Sequence, residues 1–362
     1  MDFTLSDERR MLRESLRGTL ERGSGANWGD LAELGLFAAL VSEADGGFGG
    51  EDVALVFEEL GRAGCALPVL DQAVLGAGLV AAAGSDVLEG AVAGQTRLSL
   101  AHEEQGGVGR TLFCRTAAER LEGGGYRLRG GKSVVVGGIE ADRLIVSARL
   151  GGAPAEGAEG LALFLVPADA PGLERRAVPL QGGGEAAEII LDGVEIGEDA
   201  LLLEGDAAAE ALGRAEARAI LALCAEMLGL MDRAMGLTVE YSRTRKQFGK
   251  PIGAFQALQH RMADMAMEVE QSRSAVFNLA RAIEGADRDR QASAAKTLVG
   301  RTARLVAEES IQIHGGIGMT EEYELGHLVR RLIEAETRFG DSDHHLQRFV
   351  ELSRPLWEAQ AA

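Results

Sequence analysis

The chain has 362 residues, more than one hydrophobic core usually spans, so we expect two or three domains or one large mixed domain. Hydrophobic residues make up 46% of it and charged residues 26%, which excludes long disorder. Because 56 acidic residues oppose 37 basic ones, the net charge is −19, and the resulting field repels nucleic acid and anionic lipid. An anionic ligand must therefore find a local basic pocket.

Cysteine usage and the amino-terminal segment indicate the cellular compartment. The three cysteines, Cys65, Cys114 and Cys224, lack CxxC spacing, so the sequence predicts neither a disulfide scaffold nor a metal site. The first residues carry charges where a signal peptide needs an apolar run, and no apolar run reaches membrane-spanning length. We expect a cytoplasmic protein without a membrane span.

Residues 1–95 are predicted to form an N-terminal helical domain. Ser6 can cap a first helix, since an acidic turn and an amphipathic pattern follow it. The apolar residues of that pattern, at three- and four-residue spacing, are Met11, Leu12, Leu16 and Leu20. Further helices are predicted at 52–60 and 70–83.

Residues 96–204 are predicted to form a central β domain. Short runs rich in Val, Ile and Leu are separated by glycine clusters, as is typical of strands. The predicted strands cover 97–101, 126–129, 132–136, 143–147, 161–167 and 188–194. No helical pattern lies between them, so we expect an antiparallel barrel or sandwich rather than a parallel nucleotide-binding sheet.

Residues 205–362 return to helical patterns. Predicted helices cover 207–243, a segment starting near 253, 290–314, 320–337 and 342–356. Together they favour an antiparallel four-helix bundle. The predicted fold class is therefore α+β and multidomain, with helices first, a sheet in the middle and helices last.

Two segments of the C-terminal part resemble the signature segments of the acyl-CoA dehydrogenases. The first is Arg-Thr-Arg-Lys-Gln-Phe-Gly-Lys-Pro-Ile at 243–252, continued by Phe255 and Gln256; the second is Gln-Ile-His-Gly-Gly-Ile-Gly-Met-Thr at 312–320. The resemblance implies that family's helix–sheet–helix fold and a flavoenzyme with FAD, usually tetrameric. It also implies the conversion of an acyl-CoA thioester to trans-2-enoyl-CoA, with an electron-transfer flavoprotein as the expected acceptor.

The first segment also has a physical interpretation of its own. The chain has only four lysines, and two of them, Lys246 and Lys250, accompany Arg243 and Arg245. Such a cationic group at a helix end suits the pyrophosphate of a dinucleotide. A solvated basic patch is the alternative interpretation of the same residues.

The second segment contains two adjacent glycines, whose backbone is not covered by a side chain. Gly315 and Gly316 permit a ligand to approach closely, and Gly315 is at the same time a candidate helix C-cap. By resemblance, six residues of this fold bind the adenosine-diphosphate half of FAD, and the flavin ring lies in a neighbouring subunit. These six are Arg245, Phe248, Gln256, Gln312, Gly315 and Gly316.

The sequence departs from the family's pattern where the flavin ring is expected. Counting from Tyr126 and Lys132 places the family's tryptophan on Val134 and its threonine on Val136. Valine favours strands, so the sheet can still form. Two side chains that would cover or hydrogen-bond the ring are nevertheless absent from these positions.

The catalytic base departs as well. A gap-free count puts the family's glutamate on Phe339, and an alignment with two extra residues puts it on Asp341. A second branch carries its base at the position of Ala219, from which Glu216 lies one turn away and in the wrong phase. Asp341 therefore remains the candidate base, although an aspartate there can equally cap the last helix.

Three hypotheses follow. The chain is a self-sufficient FAD enzyme, or it is a subunit that completes the FAD site of a partner chain, or it is a flavin-free structural protein with the same fold. The second hypothesis rests on a resemblance of residues 339–346 to the shorter, degenerate subunit of heteromeric acyl-CoA dehydrogenases, such as those for pimeloyl-CoA or steroid side chains. It implies a hetero-tetramer with a homologous catalytic subunit, whereas the first allows a homo-tetramer.

Overall fold

The computed structural model describes residues 5–21, 26–41 and 46–361, with side chains to residue 358. Its N-terminal part is helical, as predicted. The helices are α1 (Asp7–Leu20), α2 (Trp28–Glu33), α3 (Leu36–Leu40), α4 (Gly50–Arg62), α5 (Ala77–Ala82) and α6 (Val87–Val92), with a π-helical segment at Leu70–Gly76 before α5. The predicted cap of α1 is confirmed, because the Ser6 side chain accepts a hydrogen bond from the backbone N–H of Arg9.

A single sheet follows these helices. Its strands are β1 (Leu98–Ala101), β2 (Ala117–Arg120), β3 (Tyr126–Val136), β4 (Arg143–Leu150), β5 (Leu161–Pro167), β6 (Leu173–Pro179), β7 (Glu185–Ile196) and β8 (Leu201–Glu204). They run in the order β6-β7-β3-β2-β4-β5-β8, with β1 also paired to β4. The expectation of a purely antiparallel sheet is wrong at β4, which pairs in parallel with β1 and with β2 along the same edge.

The C-terminal part is again helical. In the described region it contains a helix for each of the five predicted segments: α7 (Gly205–Thr244), α8 (Gln256–Ala282), α9 (Arg288–His314), α10 (Glu324–Thr337) and α11 (Ser342–Ala361). A two-stranded hairpin of β9 (Lys246–Gln247) and β10 (Lys250–Pro251) separates α7 from α8. The predicted break between the first two bundle helices is this hairpin.

Two glycines bring α4 into backbone contact with α7. A Cβ atom at Gly61 would lie 2.1 Å from the carbonyl oxygen of Glu226, and one at Gly229 would lie 2.0 Å from that of Glu58. No other residue type permits so close an approach. The N-terminal helices are thereby held directly against the bundle.

Strands β4 and β5 divide their side chains between two apolar cores. Ile145 and Leu163 belong to the core shared with the helices, whereas Leu144, Val146 and Phe164 belong to a second core on the other face of the sheet. This is the alternation that strand geometry imposes. Among the helices of the described ranges, none combines the length and apolarity that crossing a membrane requires.

Candidate functional site

Stacked rings join the two signature segments at one end of the bundle. The ring of Tyr241, in the last turn of α7, lies 4.4 Å from the ring of His314, which ends α9. Nδ1 of His314 is 2.8 Å from the carbonyl oxygen of Ser310, and its Nε2 is 3.2 Å from the hydroxyl of Tyr323. The structure therefore brings together two segments that the sequence separates by more than fifty residues.

The hairpin after α7 presents an exposed aromatic ring. Phe248 and Gly249 both have positive φ, 53° and 82°, as a tight two-residue hairpin turn requires. The turn leaves Phe248 90% exposed, with its ring edge-on to Phe255 at 6.1 Å. The backbone N–H of Ile252 donates to the carbonyl of Arg245, which fixes the hairpin to the helix end.

Four cations at this end have no acidic partner. Arg243, Arg245, Lys246 and Lys250 are all exposed, and none forms an ion pair with a residue that the structure describes. Lys250 instead places its Nζ 4.2 Å from the ring centroid of Phe255. In a chain of charge −19, where many other arginines are paired to carboxylates, such a group of cations gives this end a local positive charge that suits an anion.

Bare backbone lies beside these cations. Gly315 ends α9 with φ 66°, and its N–H donates to the carbonyl of Ile311, so its predicted role as a C-cap is confirmed. A Cβ atom at Gly315 or Gly316 would meet no neighbour within 4 Å. Gln312 is exposed on the preceding turn of the helix.

The predicted cofactor residues thus lie at one end of the bundle, and they fit one half of FAD. Arg245 and Gln256 offer charge and an amide, Phe248 an exposed ring, and Gly315 and Gly316 an open backbone surface. A diphosphate needs such cations and approachable N–H groups. All six predicted residues are exposed, so a second chain can close over a ligand bound there.

A cavity of about 390 Å³ lies away from this end, between the sheet, the π-helical segment and the bundle. Val134 and Val136 line one wall, beside His102. Glu216 of α7 and Phe339, which follows α10, line the opposite side. The two valine positions singled out in the sequence therefore do face the interdomain cavity.

Asp341 is placed elsewhere. Its Oδ1 accepts a hydrogen bond of 2.8 Å from the backbone N–H of His344, and it is exposed at the start of α11. It is not among the described residues that line the cavity. The geometry supports the capping interpretation of Asp341 and does not bring it to the cavity as a base.

Phe339 occupies the place that the gap-free count gave to the family's glutamate. Its φ is 59°, an unusual value for a residue with a side chain, and Gly340 follows with φ 99°. Fully buried Lys296 holds this turn by donating to the carbonyls of Glu336 at 2.6 Å and Gly340 at 3.0 Å. Nε2 of His345 lies 3.0 Å from the carbonyl of Phe339, so the aromatic ring is held in the cavity wall.

A polar cluster lies behind His102, and the sequence reasoning missed it. Lys132, buried in β3, donates to Glu104 at 2.7 Å and to the hydroxyl of Ser147 at 2.9 Å. The same hydroxyl shares a 2.9 Å hydrogen bond with Nδ1 of His102. The available signal was a lone lysine in a valine-rich strand, in a chain with few lysines.

Charge and burial shift the pKa values of two residues in this cluster. Burial alone would raise the pKa of Glu104, but the charge of Lys132 and hydrogen bonds from Lys132 and Thr116 lower it to about 2. Burial, with the charge of Lys132, lowers the pKa of His102 to about 4. His102 is therefore a neutral imidazole at pH 7, held against the cavity by an ionised pair.

Glu216 is the second residue that sequence reasoning left out of the site. It lies on the cavity wall, where its Oε1 accepts a 2.8 Å hydrogen bond from the hydroxyl of Thr111 and lies 3.3 Å from Nη1 of Arg348. Burial raises the pKa of Glu216, although the charge of Arg348 opposes the shift. The wrong-phase argument fails because Leu212 and Glu216, four residues apart on α7, face the cavity together.

Comparison with known proteins identifies relatives of the whole chain. Residues 215–350 match the family described as acyl-CoA dehydrogenase, C-terminal domain. The acyl-CoA dehydrogenase FadE27 of Mycobacterium tuberculosis is 30% identical over 350 residues, covering 92% of this chain and 88% of its own.

Solved structures share the fold over nearly its full length. The ChsE4-ChsE5 complex of Mycobacterium tuberculosis contains a chain with TM-score 0.83 and 26% identity, covering 99% of both chains. A variant of the Tcur3481-Tcur3483 steroid ACAD contains one with TM-score 0.82 and 30% identity, covering 99% of this chain and 100% of that one. The similarity therefore extends over helices, sheet and bundle together.

Proposed function

This chain belongs to the acyl-CoA dehydrogenase family, and on that basis we propose that it is a subunit of an FAD-dependent enzyme that oxidises an acyl-CoA thioester to trans-2-enoyl-CoA. When bound, the flavin supplies acceptance of the hydride from the β-carbon. An electron-transfer flavoprotein is the proposed acceptor, and a tetramer the proposed assembly. A cytoplasmic location stays a prediction.

One observation carries the proposal. Arg245 and its three cationic neighbours have no acidic partner among the described residues, and they lie beside the open backbone of Gly315 and Gly316. A cluster of exposed cations gives this end of an otherwise acidic protein a local positive potential, which attracts an anion. The diphosphate of FAD supplies two adjacent charges and an adenosine that can contact Phe248, Gln256 and Gln312.

Observations at the cavity favour a second candidate function. Val134 and Val136 offer the flavin ring no side-chain hydrogen bond, and Phe339 replaces a carboxylate. These features suit a subunit that completes the FAD site of a homologous catalytic chain in a hetero-tetramer. Two of the similar solved structures carry paired chain names, ChsE4-ChsE5 and Tcur3481-Tcur3483, which supports the same candidate.

Flavin content and oligomeric mass separate the candidates. The protein is purified alone and after co-expression with a homologous chain encoded nearby, and flavin absorbance per chain is measured with the mass of the assembly. About one FAD per chain in the protein alone supports the self-sufficient enzyme. FAD only in the co-expressed complex supports the completing subunit, and FAD in neither preparation overturns the proposed function in favour of a flavin-free homologue.

A further inference from the structure

Four carboxylates of the described residues line the interdomain cavity, and two of them are committed to other contacts. Asp71 pairs with Arg338 at 2.6 Å, and Oε2 of Glu334 accepts the N–H of Gly182 at 2.6 Å. Two carboxylates on the wall remain, those of Glu103 and Glu216. A carboxylate base among the described residues that line this cavity is therefore Glu103 or Glu216.

Glu216 differs from Glu103 in how its carboxylate is held. Thr111 and Arg348 both bind Oε1 of Glu216, and no described residue donates to its Oε2. Oε1 is thus held in place, while Oε2 has lone pairs available to accept a proton. The side chain of Glu103 accepts no hydrogen bond from a described residue and has no such anchor. A general base works best when its geometry is set in advance.

The surroundings of Glu216 strengthen its basicity. Its side chain is only 16% exposed, and Leu212, Phe113 and Phe339 contribute apolar surface to the same cavity. Desolvation favours the protonated form of a carboxyl group, so the carboxylate gains by taking up a proton. The charge of Arg348 opposes this shift of the pKa.

Position along α7 also favours residue 216. Leu212 and Glu216 line the cavity, whereas Ala219, three residues on, is 0% exposed within the helical core. A carboxylate at 219 would be buried in apolar packing, while one at 216 reaches the space between sheet and bundle. Helix α7 therefore presents its acid to the cavity at 216.

We propose that Glu216 is the base that removes the α-proton of an acyl-CoA thioester bound in the interdomain cavity, an inference that rests on the proposed function. The Cα–H bond breaks and the proton joins Oε2 of Glu216. The electron pair of that bond moves into the thioester carbonyl, giving the enolate. Thr111 and Arg348 hold the carboxyl group by its other oxygen throughout the transfer.

Hydrogen exchange at the α-carbon tests this step without turnover. The flavin-containing assembly is incubated in D₂O with saturated straight-chain acyl-CoA thioesters of several lengths as probes, and deuterium incorporation at Cα is followed by mass spectrometry. The variants are Glu216→Gln and the matched control Glu103→Gln, which removes the other carboxylate of the same cavity. Asp341→Asn serves as a second control, because asparagine caps helices as well as aspartate does.

We expect Glu216→Gln to slow exchange by about 100-fold or more, the usual contribution of a general base, while both controls stay within about threefold of the wild type. Thermal unfolding and retained flavin establish that Glu216→Gln is folded, and Glu216→Asp keeps a measurable part of the exchange if the variant carboxylate still reaches the substrate.

Other outcomes overturn the inference. Exchange lost in Glu103→Gln but kept in Glu216→Gln assigns the base to Glu103. Equal exchange in all variants, or none in a flavin-containing wild type with any probe, shows that Glu216 is not a base, while the proposed FAD-binding function stands. Absence of flavin from every preparation instead removes the proposed function itself.

Discussion

The end of the bundle and the interdomain cavity treat charge in opposite ways. At the bundle end Arg243, Arg245 and Lys246 are exposed and unpaired within the described part of the chain. Behind the cavity wall, Lys132 and Glu104 are buried and paired with each other. A cluster of exposed unpaired cations is available to bind an anion, whereas the Lys132–Glu104 pair is already compensated inside the fold.

Replacing the buried lysine should have the largest effect on stability. Lys132→Met leaves Glu104 as an uncompensated buried carboxylate, which costs about 3–5 kcal/mol. Lys246→Ala at the bundle end should change stability by less than about 0.5 kcal/mol, since its side chain is exposed. Urea unfolding measures both. The double variant Lys132→Met with Glu104→Gln should recover most of the loss, and no recovery would contradict the pairing.

The cavity wall should also make the protein sensitive to acid. Because the pKa of His102 is lowered from 6.5 to about 4 in the folded protein, its stabilising contribution is complete above pH 6.5 and is lost as the pH falls through 4. The difference between these two pKa values corresponds to about 3 kcal/mol of folding free energy. His102→Asn should flatten this part of the pH dependence of unfolding. An unchanged slope between pH 6.5 and pH 4 would contradict the assignment.

The fold could be predicted from the sequence because it rests on periodicity. The order of helices, sheet and helices, and most strand positions, agree with the structure. Strands β2, β6 and β8 were not predicted. Strand β6, for example, is largely exposed and has no apolar alternation. The parallel pairs at β4 were missed because strand pairing is a tertiary property that spacing does not encode.

The candidate site could be predicted only in part. Arg245 and Gly315 each stand in a contiguous motif, so the residues at the bundle end could be identified from the sequence. Lys132 lies about thirty residues along the chain from Glu104 and His102. No spacing rule predicts a buried ion pair between such segments. Glu216 was set aside by counting from Arg245, although the face that α7 turns to the cavity depends on packing.

At the bundle end, a single substitution should separate binding from folding. Arg245→Ala removes charge-assisted hydrogen bonds to a diphosphate and should weaken FAD binding by about 10- to 100-fold. Asp341→Asn, which alters only a helix cap, should leave the dissociation constant within about twofold. FAD titration of the apo assembly measures both. Equal loss from the two substitutions would contradict the roles assigned to these residues.

Substitutions at Gly315 and Gly316 should have the smallest effects, and they separate stability from FAD binding. Gly315→Ala should cost about 1–2 kcal/mol of stability, because φ at Gly315 is 66°. Gly316→Ala should leave stability unchanged, since a Cβ there meets nothing within 4 Å, yet it should weaken FAD binding a few-fold if the backbone contacts the ligand. Thermal unfolding and FAD titration separate the two effects. Unchanged FAD affinity in Gly316→Ala would argue against a close approach.

The proposed binding place for the diphosphate of FAD is the bundle end. A structure of the FAD-saturated assembly tests this most directly. We predict density for the diphosphate within hydrogen-bonding distance of the Arg245 guanidinium and next to the backbone of Gly315 and Gly316. Density for the diphosphate elsewhere, or an end of the bundle where acidic side chains of a neighbouring chain neutralise these cations instead, would contradict it.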